Sequence, residues 1–476
     1  MRSYYLAPTI IYVGSSSLTS FQIPQPSDDP NDPLNWPLWR RDAITFILCF
    51  AGILATSLGS ILAANTITIS LLFGHNFTDV ALLTGYYLLG AGAAAIFFVP
   101  SGRVWGKRHL FLIGICICIG SSAWAGSVGT NYDSLLGARV VQGVGTAPFE
   151  SLLVAAVGDL YHVHQRGIRM AFTNLAVFGG AFFTPIVVGK ITNTMGWEWT
   201  FYLVAIFMAP TLLAVFLFCP EPAFRRDARF NTDSLPGEPK LNTGSLSSDS
   251  PSRPQPAIPS VVTLPPSGDF PAGGSRSEKF VFFPTSGALQ VMGDSRTPKK
   301  TFLQSLSLFD GRKTDERYWV LLLRPFPLLL NPAFLWGCFV QGTMIGWTIF
   351  IGVIIAAIFI GPPYFWGEVK AGYTYTGAFV GALAGFLIAG LLADSSVKWM
   401  TRRNNGWFEP EFRILLVIPM FVIGQIGLYG FGLTASEVIS GAYSYYVPLI
   451  FFGFEVAGMV IGTVASSLYI VDAYRK

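Results

Sequence analysis

Charge is scarce in this chain. Asp, Glu, Lys and Arg make up 12% of its 476 residues, while 52% are hydrophobic. A water-soluble protein carries roughly twice that charged share, so a water-exposed globular body is excluded. Cysteine is rare too. Cys49, Cys116, Cys118, Cys219 and Cys338 lie within or beside apolar runs, which excludes a disulfide framework and predicts packed free thiols. Histidine occurs four times, never as an i,i+4 pair, and no His/Cys cluster has ligand spacing, so neither a metal centre nor another cofactor is expected. No GxxxxGK[ST] loop is present, which argues against ATP-driven pumping. The net charge of +4 is small and scattered, so no nucleic-acid partner is expected. These absences argue against an enzyme.

What the chain does have is long apolar runs. About 20 apolar residues cross the hydrocarbon of a bilayer as a helix, and ten such runs lie near residues 43–72, 80–100, 109–127, 134–158, 170–190, 199–219, 333–361, 374–393, 413–433 and 443–471. They are too long for barrel strands and lack the in/out alternation of one. The expected fold is all-α, a polytopic membrane helical bundle whose partner is the lipid bilayer. Orientation follows the basic residues in short loops. Arg103, Lys107 and Arg108 follow the second run, Arg166 and Arg169 the fourth, and Lys398, Arg402, Arg403 and Arg413 the eighth. The alternate connections hold almost none, so the N-terminus is expected in the cytosol.

The runs divide the chain. Residues 1–42 read as a cytosolic tail, 43–220 as a six-helix bundle, 221–325 as a linker and 326–476 as a partial four-helix bundle. The linker holds TGSLSSDSPSRPQPAIPS and TLPPSGDFPAGGSRSEK, compositions that cannot bury a core and predict disorder. Its last part, RYWVLLLRPFPLLLNPAFLW, carries Pro325, Pro327 and Pro332, which break a spanning helix and predict an interfacial approach. The basic loops at 100–111 and 390–406 hold equivalent places on either side of the linker. Such repetition points to a transporter built from two halves.

Ionised groups inside apolar runs are costly and mark pathways or partners. Arg139 and Glu150 share the fourth run. At about 100° per residue, their separation of eleven positions returns to within roughly 20° of one face, with Gln142 and Thr146 on the same stripe. That face is expected to meet a wet cavity or polar partners. Pro148, with Gly143 and Gly145, is expected to loosen the helix between the charges. Glu455 stands in the tenth run with no charge within fifteen residues on either side. It is expected to face the cavity or to hydrogen-bond within the bundle. Asn65, Asn174, Gln341 and Trp347 complete a candidate substrate cavity. GALAG (381–385) and GMVIG (458–462) predict close helix contact.

PQPSDDPNDPLNWP (24–37), VWGKRH (104–109), RVVQGVG (139–145), GWEWTFYLVAIF (196–207), PEPAFRR (220–226), GPPYFW (361–366), LADSSVKWMTRRNNGWFEPEFRI (392–414) and LYIVDAYR (468–475) together resemble the major facilitator superfamily, in its fungal-type drug:proton antiporter-like branch. GAFFTPIVVG (180–189) partly resembles the antiporter motif. The resemblance implies a monomeric, proton-coupled secondary transporter of a small organic solute or drug, multi-pass in the plasma membrane and working by alternating access. It implies that Arg139 of RVVQGVG belongs to a proton-coupling motif, and the charges buried in the spans make Glu150 and Glu455 the candidate proton carriers. It also implies a cytosolic gate at Gly106, Lys107 and Arg108, with Asp394, Arg402 and Arg403 in the second loop. Arg103 stands where the motif usually has an acid. Twelve spans are implied against ten in this chain, so a truncated, non-transporting relative acting as a membrane sensor is the alternative reading.

Overall fold

The computed structural model describes residues 27, 29–161, 163–225, 298–328, 330–361, 364–404, 410–438 and 440–473. Among them every regular element is helical. Ahead of the first span, the Asp32 carboxylate accepts from the Leu34 amide (3.1 Å) and caps a single 3-10 turn over Pro33–Asn35. Then come α1 (Leu38–Ser60), α2 (Thr66–Phe73), α3 (Phe77–Trp105), α4 (Arg108–Gly126), α5 (Tyr132–Ser151), α6 (Leu153–Leu160), α7 (Val163–Met195) and α8 (Glu198–Phe218). After the described part of the linker follow α9 (Phe302–Ser305), α10 (Tyr318–Leu323), α11 (Pro325–Leu328), α12 (Pro332–Ile360), α13 (Glu368–Tyr373), α14 (Thr376–Arg403), α15 (Val417–Val438) and α16 (Tyr446–Ala473).

Ten helices among the described residues are long and apolar enough to span a membrane, six before residue 220 and four after 332. The first run read as one span is two helices, α1 and α2, joined by a turn over 61–65. The break in the fourth span falls at Leu152, between α5 and α6, downstream of Pro148. The loosening expected of Gly143 and Gly145 gives way to packing. A Cβ on Gly143 would lie 2.0 Å from the Tyr87 carbonyl oxygen, so this glycine lets α3 and α5 touch backbone to backbone.

Each set of spans has its own apolar core. Leu58, Phe111, Phe149 and Phe201 centre the first; Ile351, Ile355, Phe452 and Val456 centre the second. In the second set α16 lies between two close neighbours. A Cβ on Gly381 of α14 would meet the Gly453 carbonyl oxygen at 2.1 Å, and one on Gly458 would meet Gly424 of α15 at 2.6 Å. Both small-residue patterns therefore sit at helix crossings. Large apolar side chains such as Phe46, Leu89, Phe207, Phe339, Leu387 and Phe421 are exposed, as lipid-facing positions should be. Cys49, Cys118 and Cys219 are buried free thiols; Cys116 and Cys338 are exposed, against the expectation that all five are packed.

The two sets meet away from the membrane face that carries the 27–37 segment. Phe178 and Phe183 of α7 face Phe386 and Phe379 of α14, with ring centroids 6.3 and 5.5 Å apart. Farther along, the Gly189 position of α7 abuts the Glu368 carbonyl, and the Gly372 position of α13 abuts that of Pro185. At the far end the Thr68 hydroxyl of α2 donates to the Glu368 carboxylate at 2.7 Å.

The described end of the linker is tied down. A capping box of Thr301 and Gln304 starts α9. The Lys300 amide donates to the Asn31 side chain (2.8 Å), the Lys313 amide to the Val104 carbonyl (2.8 Å), and Tyr318 stacks on Trp105 at 5.4 Å. Residues 298–324 thus form a strap joining the 27–37 segment to the α3–α4 turn. The Pro-broken approach resolves into α10 and α11, with Trp319, Leu323 and Phe326 exposed. The disorder expected of the linker bears mainly on 226–297, outside the described residues.

Candidate transport site

The polar stripe of the fourth span is enclosed by protein in this conformation rather than lined by an open cavity. Arg139 is 0% exposed. Its Nη1 donates to the Leu58 carbonyl (2.6 Å) and to Gln142 Oε1 (2.8 Å), and its Nη2 reaches the Gly59 carbonyl (3.4 Å). The guanidinium also lies over the Tyr87 ring, 4.7 Å from its centroid, a cation–π contact that strengthens where water is excluded. A planar, permanently charged fork suits this set of acceptors, which a point charge would not satisfy. Gln142 and Thr146 are equally buried; Thr146 donates back to the Gly143 carbonyl at 3.0 Å.

Glu150 is different. It is exposed, and the Tyr87 hydroxyl donates to its Oε1 at 3.2 Å. Tyr87 therefore links the two charges of the fourth span, its ring under Arg139 and its hydroxyl on Glu150. Glu150 stands at the C-terminal end of α5, at the break before α6, where a charged side chain within a span needs a polar partner or water.

Glu455 lies in the other set and is 1% exposed. The Thr348 hydroxyl sits 2.9 and 3.0 Å from its two oxygens, and also 2.9 Å from the Met344 carbonyl one turn back. No cation contacts it among the described residues. The structure thus does not bring Arg139, Glu150 and Glu455 into one cluster. Of the remaining cavity candidates, Asn65 is buried at the α1–α2 turn, both side-chain polar atoms without a partner. Gln341 donates to Thr463 (2.7 Å), Asn174 is half-buried on α7, and Trp347 is exposed against Phe350.

At the α3–α4 turn, Gly106 has φ +98°, the left-handed region where glycine is favoured. The Glu221 carboxylate accepts from the amides of Lys107 (2.9 Å) and Arg108 (3.0 Å) at the start of α4, and fills the space a Cβ on Gly106 would need. Lys107 pairs with Asp159 at 2.6 Å. Arg108 donates to the carbonyls of Phe216 (2.7 Å) and Ser307 (2.8 Å). Asp159 and Glu221 supply the acid that Arg103 displaces from the motif. In the second loop, Arg402 and Arg403 are exposed, with Arg403 over Trp399 at 4.3 Å. Asp394 lies on α14.

Outside the spans, Tyr161 closes the base of α1. It receives or gives a hydrogen bond with Thr45 (2.7 Å), donates to Asp42 (2.9 Å), and lies under Arg169. Burial pushes its phenol up to about 12. Sequence reasoning missed Tyr87, Thr348, Asp159 and Glu221. Only Glu221 carried a local signal, in PEPAFRR beside the membrane edge.

The molecule thus combines two sets of spans, enclosed charges and a basic turn at one membrane face. A family model described as Major Facilitator Superfamily matches residues 45–475. The chain belongs to the Major Facilitator Superfamily. It is a multi-pass membrane transporter and not an enzyme. It is similar to an uncharacterized MFS-type transporter of Schizosaccharomyces pombe, 24% identical with 95% of this chain and 76% of that protein covered. Protein HOL1 of Saccharomyces cerevisiae is also 24% identical, with 98% and 81% covered. A solved structure of the xylose transporter XylE from E. coli, titled as a partially occluded inward open conformation, shares the fold. Its TM-score is 0.53 at 13% identity, covering 91% of this chain and 87% of that one.

Proposed function

We propose that the chain is a proton-coupled secondary transporter of a small organic solute or drug, working by alternating access as a monomer in the plasma membrane with its N-terminus in the cytosol. The relatives include an efflux pump of Gibberella moniliformis, FUB11, 23% identical over 94% of this chain and 65% of that protein. A drug-like cargo is supported by the name of another relative, a multidrug transporter of Candida glabrata, 30% identical over 41% of this chain and 34% of that protein. The asymmetry of contacts between the two sets supports a conformation closed at the far face and open toward the N-terminal face.

The observation that carries the coupling is the environment of Glu455. An enclosed anion without a counter-ion costs several kcal/mol, and binding a proton removes that cost. A hydroxyl has one donor and two acceptor lone pairs. With Glu455 ionised, Thr348 donates to the carboxylate. With Glu455 protonated, the acid donates to Thr348, whose own proton turns to the Met344 carbonyl. One hydroxyl rotation satisfies both states, so the site can load and release a proton without repacking. Arg139 and Glu150 form the corresponding element of the first set, with Tyr87 between them. The turn at Gly106, Lys107 and Arg108 serves as the cytosolic gate, opposite Asp394, Arg402 and Arg403.

The test is accumulation of a panel of organic cations, sugars and drug-like solutes in proteoliposomes under an imposed pH gradient. Wild type accumulates at least one of them. Glu455→Gln abolishes pH-driven accumulation while retaining solute exchange at equal pH. Flux indifferent to both the gradient and the substitution refutes the coupling, and no flux at all favours the sensor reading.

A further inference from the structure

A cavity of about 570 Å³ opens between the α3–α4 turn and the strap, apart from the span interiors. Ser101, Trp105, His109, Phe309, Gly311 and Arg312 line it. Three properties bear on what it holds. Its floor is rigid: His109 is buried, bonded through Nε2 to Ser101 (3.0 Å), with its ring against Phe309 at 5.0 Å. Its rim is aromatic, with Trp105 and Phe309 both exposed and Trp105 ending a spanning helix. Its charge is uncompensated cation. Arg312 spends one N–H on the Glu316 carbonyl (2.8 Å), leaving the rest of its fork open. Arg103 and Arg317 lie outside the lining but near it in the chain, two positions before Trp105 and one before its stacking partner Tyr318, and are exposed with no ion pair among the described residues. The nearby acids are already engaged. Asp310 pairs with Lys300 and Lys313, Asp315 with Arg225, and Glu316 with Arg324.

We infer that this cavity binds the phosphate headgroup of an anionic membrane phospholipid. The donors present, guanidinium and indole N–H groups, match phosphate oxygens. Basic pockets at the membrane surface between spanning helices recognise such headgroups, and tryptophan favours the same interfacial level. Trp319, Val320 and Leu323 of α10 are exposed next to the cavity, an apolar face suited to lie in the acyl boundary of that leaflet. A lipid seated there would touch α3, α4 and the strap together, fastening the described end of the linker to the first set of spans.

The experiment is native mass spectrometry of the full chain, purified in detergent and titrated with phosphatidic acid, phosphatidylcholine or inorganic phosphate. Wild type is expected to retain phosphatidic acid about tenfold better than phosphatidylcholine. Each cation near a lipid surface is worth about 1 kcal/mol, so Arg312→Ala and Arg103→Ala should each reduce retention about fivefold. Arg312→Lys should recover most of it, and Lys190→Ala, at the opposite face, should change nothing. Melting curves in detergent without added lipid check that each variant folds as wild type does. Equal retention of the two lipids, or retention indifferent to Arg312 and Arg103, overturns the inference. So does protection by inorganic phosphate matching that by phosphatidic acid, since the ligand is then a free anion. Retention lost in a variant that melts as wild type does supports it.

Discussion

Arg139 and Glu455 are both enclosed mid-span, yet the first has four partners and the second has one. Arg139 is held by two backbone carbonyls, the Gln142 amide oxygen and the Tyr87 ring. Among the described residues Glu455 has only the Thr348 hydroxyl. The difference teaches what each set of spans does with its charge. A group that never changes protonation can be bonded on every side and serve as a fastening. A group that must change protonation needs a partner that can reverse its own role, and too many fixed donors would hold it in one state.

This contrast can be broken most sharply at Arg139. Arg139→Ala takes the donor from two buried acceptors, the Leu58 carbonyl and the Gln142 amide oxygen, and from the half-buried Gly59 carbonyl, and each unsatisfied buried group costs about 1–3 kcal/mol. A loss of roughly 3 kcal/mol or more is expected in thermal unfolding in detergent, and Arg139→Lys should rescue little of it. Gly143→Ala forces the close contact of α3 and α5 apart, with an expected cost of about 1–3 kcal/mol by the same assay. Glu455→Gln inverts the pattern. Its stability should stay within about 1 kcal/mol of wild type, because the amide still accepts from Thr348, whereas pH-driven accumulation should fall at least about tenfold. Equal effects of Arg139→Ala and Glu455→Gln on stability would erase the distinction. Thr348→Val tests the hydroxyl alone: a fall of about threefold in accumulation and an altered pH profile are expected, both restored by Thr348→Ser.

The smallest effect lies outside the spans. Burial disfavours the Asp310 carboxylate, but hydrogen bonds from Lys300 and Lys313 outweigh it and hold the group below its ordinary value. The stability it lends the strap is therefore complete above the unfolded value of about 3.9 and lost as pH falls through the lower folded value. Hydrogen exchange of residues 298–324 should be unchanged by the state of Asp310 between about pH 5 and 8, and should quicken below about pH 4. Asp310→Asn should remove that acid-induced change.

The spans were legible because twenty apolar residues leave few alternatives, and the shared face of Arg139, Gln142 and Thr146 followed from helical pitch alone. What that face meets did not follow. Leu58 and Gly59 lie some eighty positions from Arg139 in the chain, and no local pattern names them. Tyr87 and Thr348 were invisible for the same reason: an aromatic or a threonine in an apolar helix looks like any other until a neighbouring helix supplies its partner. The strap was hidden differently. It follows directly on the Pro-, Ser- and Gly-rich stretch and was read with it, and its order comes from contacts with Asn31, Val104 and Trp105 rather than from a core of its own.

The contact of α7 with α13 carries one more consequence. Where Gly189 and Gly372 bring main chain against main chain, Phe182 and Ile186 of α7 pack beside them into the core of the second set. Parting this joint therefore exposes the buried Phe182 ring as well as breaking the Thr68–Glu368 hydrogen bond at its end. Among the described residues the far mouth is held by apolar burial, backbone fit and a polar latch acting together.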